Sequence, residues 1–430
     1  MRFYSTNGKS SSVGFKDVLF QGLADDGGLF MPQSIPHLGP DFFTADLSYP
    51  ECAVGMIHPF TKEDLTQAQL SDICESAFDF PLPIKKINET DSVLELFHGP
   101  TLAFKDFAAR FMARTMSHFL ENENNEITIL VATSGDTGSA VANGFFNIDG
   151  INVIILYPSN RVSTIQEKQL TTLSGNITAL EIDGSFDDCQ RMVKSAFQDE
   201  DLRKTLSLSS ANSINMGRLL PQSVYYAWAW KKCGENKPAI FSVPSGNFGN
   251  LTGGLLAQRM GVPVEKFIAA TNANDTFPHY LLNGTIQDQD AVQTISNAMD
   301  VGVPSNLDRI QNLFQNDVKQ VKADISSWSF SDEDTKETIR QLQNKYDYLV
   351  DPHTAVGVLG LNTYREKTNS KTNGVILSTA HPGKFADVIE PIIGDEISLP
   401  ESLQIAIKKE KNSIKMPKHF SDLKEYLLNA

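Results

Sequence analysis

From about residue 90 to about residue 393 the chain repeats one unit: a short apolar run, a glycine-containing turn, then a segment whose apolar residues return at helical spacing. This alternation constrains the fold more than any other feature. Strands separated by a helix run parallel, because a parallel neighbour needs a crossover of a dozen or more residues. Strands are expected over residues 93–97, 127–133, 151–157, 177–182, 239–243 and 375–377. Helices are expected over 104–120, 136–146 and 384–393. In the first of these, Phe104, Phe107, Ala108, Phe111, Met112, Thr115 and Phe119 fall on one stripe. Strand runs this apolar belong to sheets covered on both faces. The fold class is therefore α/β, an open parallel sheet with helices on both sides.

The flanks read differently. Residues 1–85 form a small unit, loop-rich around Asp25, Asp26, Gly27 and Gly28 and helical over 61–78. Residues 86–400 form the main α/β region. Within it, about 278–348 is more polar and reads as a mainly helical insertion without clear strands. Residues 401–430 form a C-terminal extension. A chain of 430 residues has room for two or three such parts.

Charge and cysteine usage exclude several classes. A net charge of −15 argues against nucleic acid as the main partner, while leaving room for local basic pockets that hold small anions. Cys52, Cys74, Cys189 and Cys233 are scattered without a C-x-x-C pair, so neither a disulfide framework nor a zinc site is expected. The eight histidines do not fall at metal-ligand spacings, and no metal is expected. No apolar leader follows Met1, and the longest apolar runs are too short to cross a bilayer, so a cytoplasmic location is expected.

Four turns gather chemistry at strand ends. Ser245, Gly246, Asn247, Phe248, Gly249 and Asn250 follow one strand and open a helix, an arrangement that lets backbone N–H groups curl around a phosphate. A tight turn between strand and helix explains the same glycines. Thr133, Ser134, Gly135, Asp136, Thr137 and Gly138 suit a carboxylate or serve as a capping turn. Lys105 sits among apolar neighbours at a helix start, where burial and the helix's positive end favour the neutral amine. Most lysines so placed snorkel to solvent instead. Finally, Ser378, Thr379, Ala380, His381, Pro382, Gly383 and Lys384 follow the last strand, on the sheet edge where ligands of open α/β folds bind. No Walker, dinucleotide-binding, nucleophile-elbow or zinc-protease motif competes with them.

Taken together and in order, HGPTLAFKDF, ATSGDTGSAV, PSGNFGNLTGG and LSTAHPGKFAD resemble the signature segments of the threonine synthase family. SINMGRLLPQ, MDVGVPSN and DPHTA add to the likeness, which covers nearly the whole chain. The resemblance implies fold type II of the pyridoxal-phosphate enzymes: two open parallel-sheet α/β domains, a small N-terminal domain and a helical insertion. It implies pyridoxal 5'-phosphate as cofactor and conversion of O-phospho-L-homoserine and water to L-threonine and phosphate. Lys105 matches the Schiff-base lysine. Gly246, Asn247, Phe248, Gly249 and Asn250 match the cup for the cofactor phosphate, and Thr379 the partner of the pyridine nitrogen. Ser134, Gly135, Asp136 and Thr137 match the turn around the substrate carboxylate. Arg218 and Lys384 are candidates for the substrate phosphate, with Asn215 in support. The expected partner is the small-molecule substrate, and the expected assembly a monomer or homodimer. A serine/threonine dehydratase or a cysteine-synthase-like enzyme would share the cofactor site; the N-terminal unit and SINMGRLLPQ argue against both. A non-catalytic homologue serving as a binding or regulatory module would have no need of Lys105.

Overall fold

A computed structural model describes residues 1–121, 126–233, 237–287 and 289–429. Two sheets carry the architecture. The six-stranded sheet runs in the order Ile325–Ser329, Val264–Thr271, Ala239–Pro244, Gly374–Ser378, Asp91–Glu95, Ile84–Lys86. All its pairings are parallel except the last. The five-stranded sheet runs Ile414–Pro417, Ile177–Asp183, Ile151–Pro158, Ile127–Ala132, Leu208–Ser210 and is parallel throughout. Its inner strands ITILVA and INVIILYP are buried almost end to end, as expected of strands covered on both faces.

The helices follow their sequence signals with informative exceptions. The expected helix over 61–78 begins only at Gln67, because Thr66 and Gln69 form a reciprocal capping box there. A separate helix, Tyr49–Thr61, precedes it, capped by Ser48 and Glu51. Its prolines hide it in the sequence: Pro50 is harmless in the first turn, and Pro59 falls close to the C-terminal end. The segment 278–348 is mainly helical but contributes one strand, Ile325–Ser329, paired to Val264–Thr271 at the sheet edge. An edge strand has one unpaired side, so the polar sequence ISSWS serves there without an apolar run. The expected helix over 384–393 splits into a 3₁₀ turn, Pro382–Phe385, and an α-helix, Ala386–Ile393.

The N-terminal unit shares one continuous core with the rest. Phe15, Leu19, Ile57 and Phe60 pack in the same cluster as Phe107, Phe111 and Tyr225. The C-terminal residues add strand Ile414–Pro417 to the five-stranded sheet, and helix Phe420–Asn429 packs on Phe186–Gln198. Among the described residues, no helix is long and apolar enough to cross a membrane. Three of the four cysteines are buried, with their thiols pushed up by burial.

Candidate active site

Strands of both sheets end on a shared cavity of about 500 Å³. Lys105, Thr133, Ser134, Arg218, Gly246 and Thr379 all line it, so the four turns singled out in the sequence meet in one place.

Lys105 is the first residue of the helix Lys105–Leu120. The loop before it is held firmly. Phe104 N–H donates to the Thr379 carbonyl at 2.9 Å, and His381 N–H donates to the Leu102 carbonyl at 3.0 Å. Leu102 itself has φ +58°, a left-handed conformation that a leucine adopts only where its surroundings enforce it. Buried Asp106 accepts from the Thr101 amide at 2.9 Å and its hydroxyl at 2.6 Å, fixing the turn. Burial lowers the Lys105 pKa from 10.5 to about 8; Asp136 pulls it upward, while Arg218 and Lys384 push it down. A substantial neutral fraction near physiological pH follows, which nucleophilic amine chemistry requires.

The turn at 245–250 is shaped as an anion cradle. Phe248 is left-handed at φ +59° and caps the helix Gly249–Arg259, aiming that helix's positive end at the cavity. Gly246 lies so close to the 298–299 backbone that an added Cβ would sit 2.6 Å from Met299 Cα. The Asn247 side chain braces the turn, donating to Ser213 Oγ at 2.8 Å and accepting from Ser305 N–H. Asn250 Oδ1 accepts from Tyr225 and Tyr226 at 2.6 and 2.7 Å, and its buried Nδ2 is left without a protein partner. Free amides, a helix N-terminus and an orphaned donor fit a phosphate group.

The turn after Ile127–Ala132 is built on Thr133, whose hydroxyl accepts from the Gly135 and Gly138 amides at 2.9 and 2.8 Å. Gly135 has φ +140°, which only glycine adopts easily, and a Cβ there would strike Gln166 at 2.7 Å. Burial alone would raise the Asp136 pKa. Lys384 and Lys105 override it and hold the carboxyl well below the ordinary carboxylate range.

Three candidates for the substrate phosphate fare differently. Arg218 lines the cavity, is buried, and makes no ion pair among the described residues. Its guanidinium donates to the Ala211 carbonyl, leaving Nε without a partner. Burial lowers its pKa to about 10, with Asp106 opposing, so the charge persists. Asn215 and Lys384 do not line the cavity. Asn215 Nδ2 donates to the Leu19 and Ser210 carbonyls at 2.9 and 3.0 Å, bracing its own turn against the N-terminal unit. Lys384 is fully buried, 2.8 Å from Asp136 Oδ1.

Among the cavity residues left without a role in the sequence are Ser213 and His353. Ser213 Oγ accepts from Asn247 Nδ2 at 2.8 Å and from Asn306 Nδ2 at 3.2 Å, so both lone pairs are taken and its O–H is left to donate at the cavity. His353 donates from Nδ1 to Asp351 at 2.7 Å and accepts the Ala298 N–H on Nε2 at 3.1 Å. These bonds fix its tautomer. Both residues lie in segments quoted for the family likeness, but spacing alone gave neither a role.

An amine of lowered pKa sharing a cavity with an anion cradle, at the ends of two mainly parallel sheets, marks a pyridoxal-phosphate enzyme of fold type II. A family model described as pyridoxal-phosphate dependent enzyme matches residues 93–380. Models for the threonine synthase N terminus and C-terminal region match 2–78 and 354–427. Threonine synthase from Haemophilus influenzae is 42% identical, with all of both chains covered. The crystal structure of threonine synthase from Escherichia coli superposes with a TM-score of 0.94 at 40% identity, covering all of both chains. Threonine synthase from Brucella melitensis, solved with pyridoxal phosphate bound, gives a TM-score of 0.92 at 36% identity, covering 100% of this chain and 99% of its own. The chain belongs to the threonine synthase family. Its cofactor is pyridoxal phosphate and its activity that of the family, on a small-molecule substrate.

Proposed function

We propose that this cavity converts O-phospho-L-homoserine and water to L-threonine and phosphate, with the roles divided as follows. Pyridoxal phosphate, when bound, supplies the electron sink for carbanion chemistry next to the substrate amine. Lys105 holds the cofactor between turnovers. During turnover its amine removes the proton from the substrate Cα and carries protons toward Cβ. The amides and hydroxyls of Ser134, Gly135 and Thr137 hold the substrate carboxylate. Gly246, Asn247, Phe248, Gly249 and Asn250 cup and brace the cofactor phosphate. The Thr379 hydroxyl, a neutral partner, meets the pyridine nitrogen.

The observation that carries the substrate assignment is the buried Arg218, without an ion pair among the described residues, in the same cavity as the Ser213 hydroxyl. An enzyme for a neutral side chain has no use for a desolvated cation there. A phosphate leaving group does, and the guanidinium fork matches its geometry. Steady-state kinetics on three substrates test this. Turnover of O-phospho-L-homoserine with little activity on L-serine or L-threonine is expected. Efficient deamination of L-serine without phosphate release would overturn it.

A further inference from the structure

The buried pair between Lys384 and Asp136 crosses from one sheet to the other. Asp136 opens the helix that follows strand Ile127–Ala132 of the five-stranded sheet. Lys384 lies in the turn after Gly374–Ser378 of the six-stranded sheet. Lys384 Nζ sits 2.8 Å from Asp136 Oδ1 and donates to the Thr101 carbonyl at 2.8 Å; the two side chains are 0% and 4% exposed. Gln166 Nε2 donates to the same carboxylate oxygen at 2.8 Å. One ammonium thus ties together the loop leading to Lys105, the 133–137 turn and the turn that carries Thr379. An apolar pair of similar volume would hold such a contact as well or better, so stability alone does not account for two buried charges. Nor is this ammonium free for a ligand: its charge is spent on Asp136 and its side chain does not reach the cavity.

We propose that Lys384 is a positioning residue: by pinning Asp136 it fixes the substrate-carboxylate turn of the five-stranded sheet in place relative to Lys105 and Thr379 of the six-stranded sheet. The proposal rests on reading residues 134–137 as the carboxylate site. Without Lys384, buried Asp136 loses its ion-pair partner and keeps only the Gln166 donor and the field of Lys105, and the turn must shift or hydrate to relieve the carboxylate.

The test uses L-2-aminobutyrate, which has the substrate's amine and carboxylate but no phosphate, titrated into the holoenzyme while cofactor absorption is followed. Lys384→Met is expected to weaken its binding about tenfold or more. In an Asp136→Asn background the carboxylate is gone and the Lys384 ammonium is itself the unpaired charge, so adding Lys384→Met should leave binding unchanged or improve it. Inhibition of turnover by inorganic phosphate should be unaffected by Lys384→Met. Unchanged L-2-aminobutyrate binding in the single variant, an equal loss in both backgrounds, or lost phosphate inhibition would each overturn the proposal, the last by making Lys384 a phosphate ligand. If Lys384→Met alone does not fold, the double variant Asp136→Asn/Lys384→Met, which keeps neither charge of the pair, still decides: binding weaker than in Asp136→Asn alone overturns the proposal, and binding unchanged or improved supports it. Ser134→Ala and Thr137→Ala serve as controls. If both leave L-2-aminobutyrate binding intact, the carboxylate reading itself fails; if they weaken it and Lys384→Met does not, only the positioning role fails.

Discussion

Gly246→Ala adds one methyl group where the phosphate turn has no room. The new Cβ would lie 2.6 Å from Met299 Cα, 3.1 Å from Met299 C and 3.2 Å from the Ala298 carbonyl oxygen. These are backbone atoms, which cannot rotate aside as a side chain would. The opposing segment is itself pinned, because Ala298 N–H donates to His353 and His353 donates to Asp351. Relief therefore comes from moving the turn off its cradle geometry. Overpacking of this kind costs about 1–3 kcal/mol. At about 1.4 kcal/mol per factor of ten, pyridoxal phosphate should bind roughly 5- to 150-fold more weakly. Titrating apoprotein with pyridoxal phosphate, followed by tryptophan fluorescence, measures the change. Gly39→Ala is the control, since a Cβ there meets nothing within 4 Å, and its affinity should stay at the parent value. Wild-type cofactor affinity in a folded Gly246→Ala protein would refute the reasoning and move the phosphate elsewhere.

Other substitutions probe the remaining groups. Lys105→Ala should abolish the visible absorption of the bound cofactor and turnover together, checked by spectrum and phosphate release. Arg218→Leu should raise KM for O-phospho-L-homoserine about tenfold or more, for a lost charge-assisted contact of ~1.5–3 kcal/mol, while cofactor absorption stays unchanged. Burial holds Lys105 near 8 in the folded apoprotein against 10.5 ordinarily, so between those values the unfolded chain binds the additional proton. Apoprotein stability should therefore rise with pH across that window by a contribution that Lys105→Met removes, as chemical denaturation at a series of pH values would show.

Much of this was legible in the sequence because the strands are buried on both faces and therefore apolar without interruption, and because glycine turns punctuate them. The turns that meet at the cavity, with Lys105 and Thr379 on two of them, were readable for the same reason: each follows such a strand. Edge strand Ile325–Ser329 was not, since a strand paired on one side only needs no apolar run. Helix Tyr49–Thr61 was masked by two prolines that are tolerated only near its ends. Residue type alone did not show that Lys384 and Asn215 lie outside the cavity lining. A lysine beside a ligand turn looks like a phosphate ligand until its partner is seen, and Asp136 lies 248 positions earlier in the chain. Ser213 became informative only when Asn247 and Asn306 were found to occupy its lone pairs.

The most direct test follows both products of O-phospho-L-homoserine in water enriched in oxygen-18. Elimination of phosphate with its bridging oxygen, then addition of water at Cβ, predicts equal amounts of L-threonine and phosphate, with the label in the threonine hydroxyl and none in the phosphate. Release of 2-oxobutyrate in place of threonine, or label appearing in the phosphate, would contradict the account.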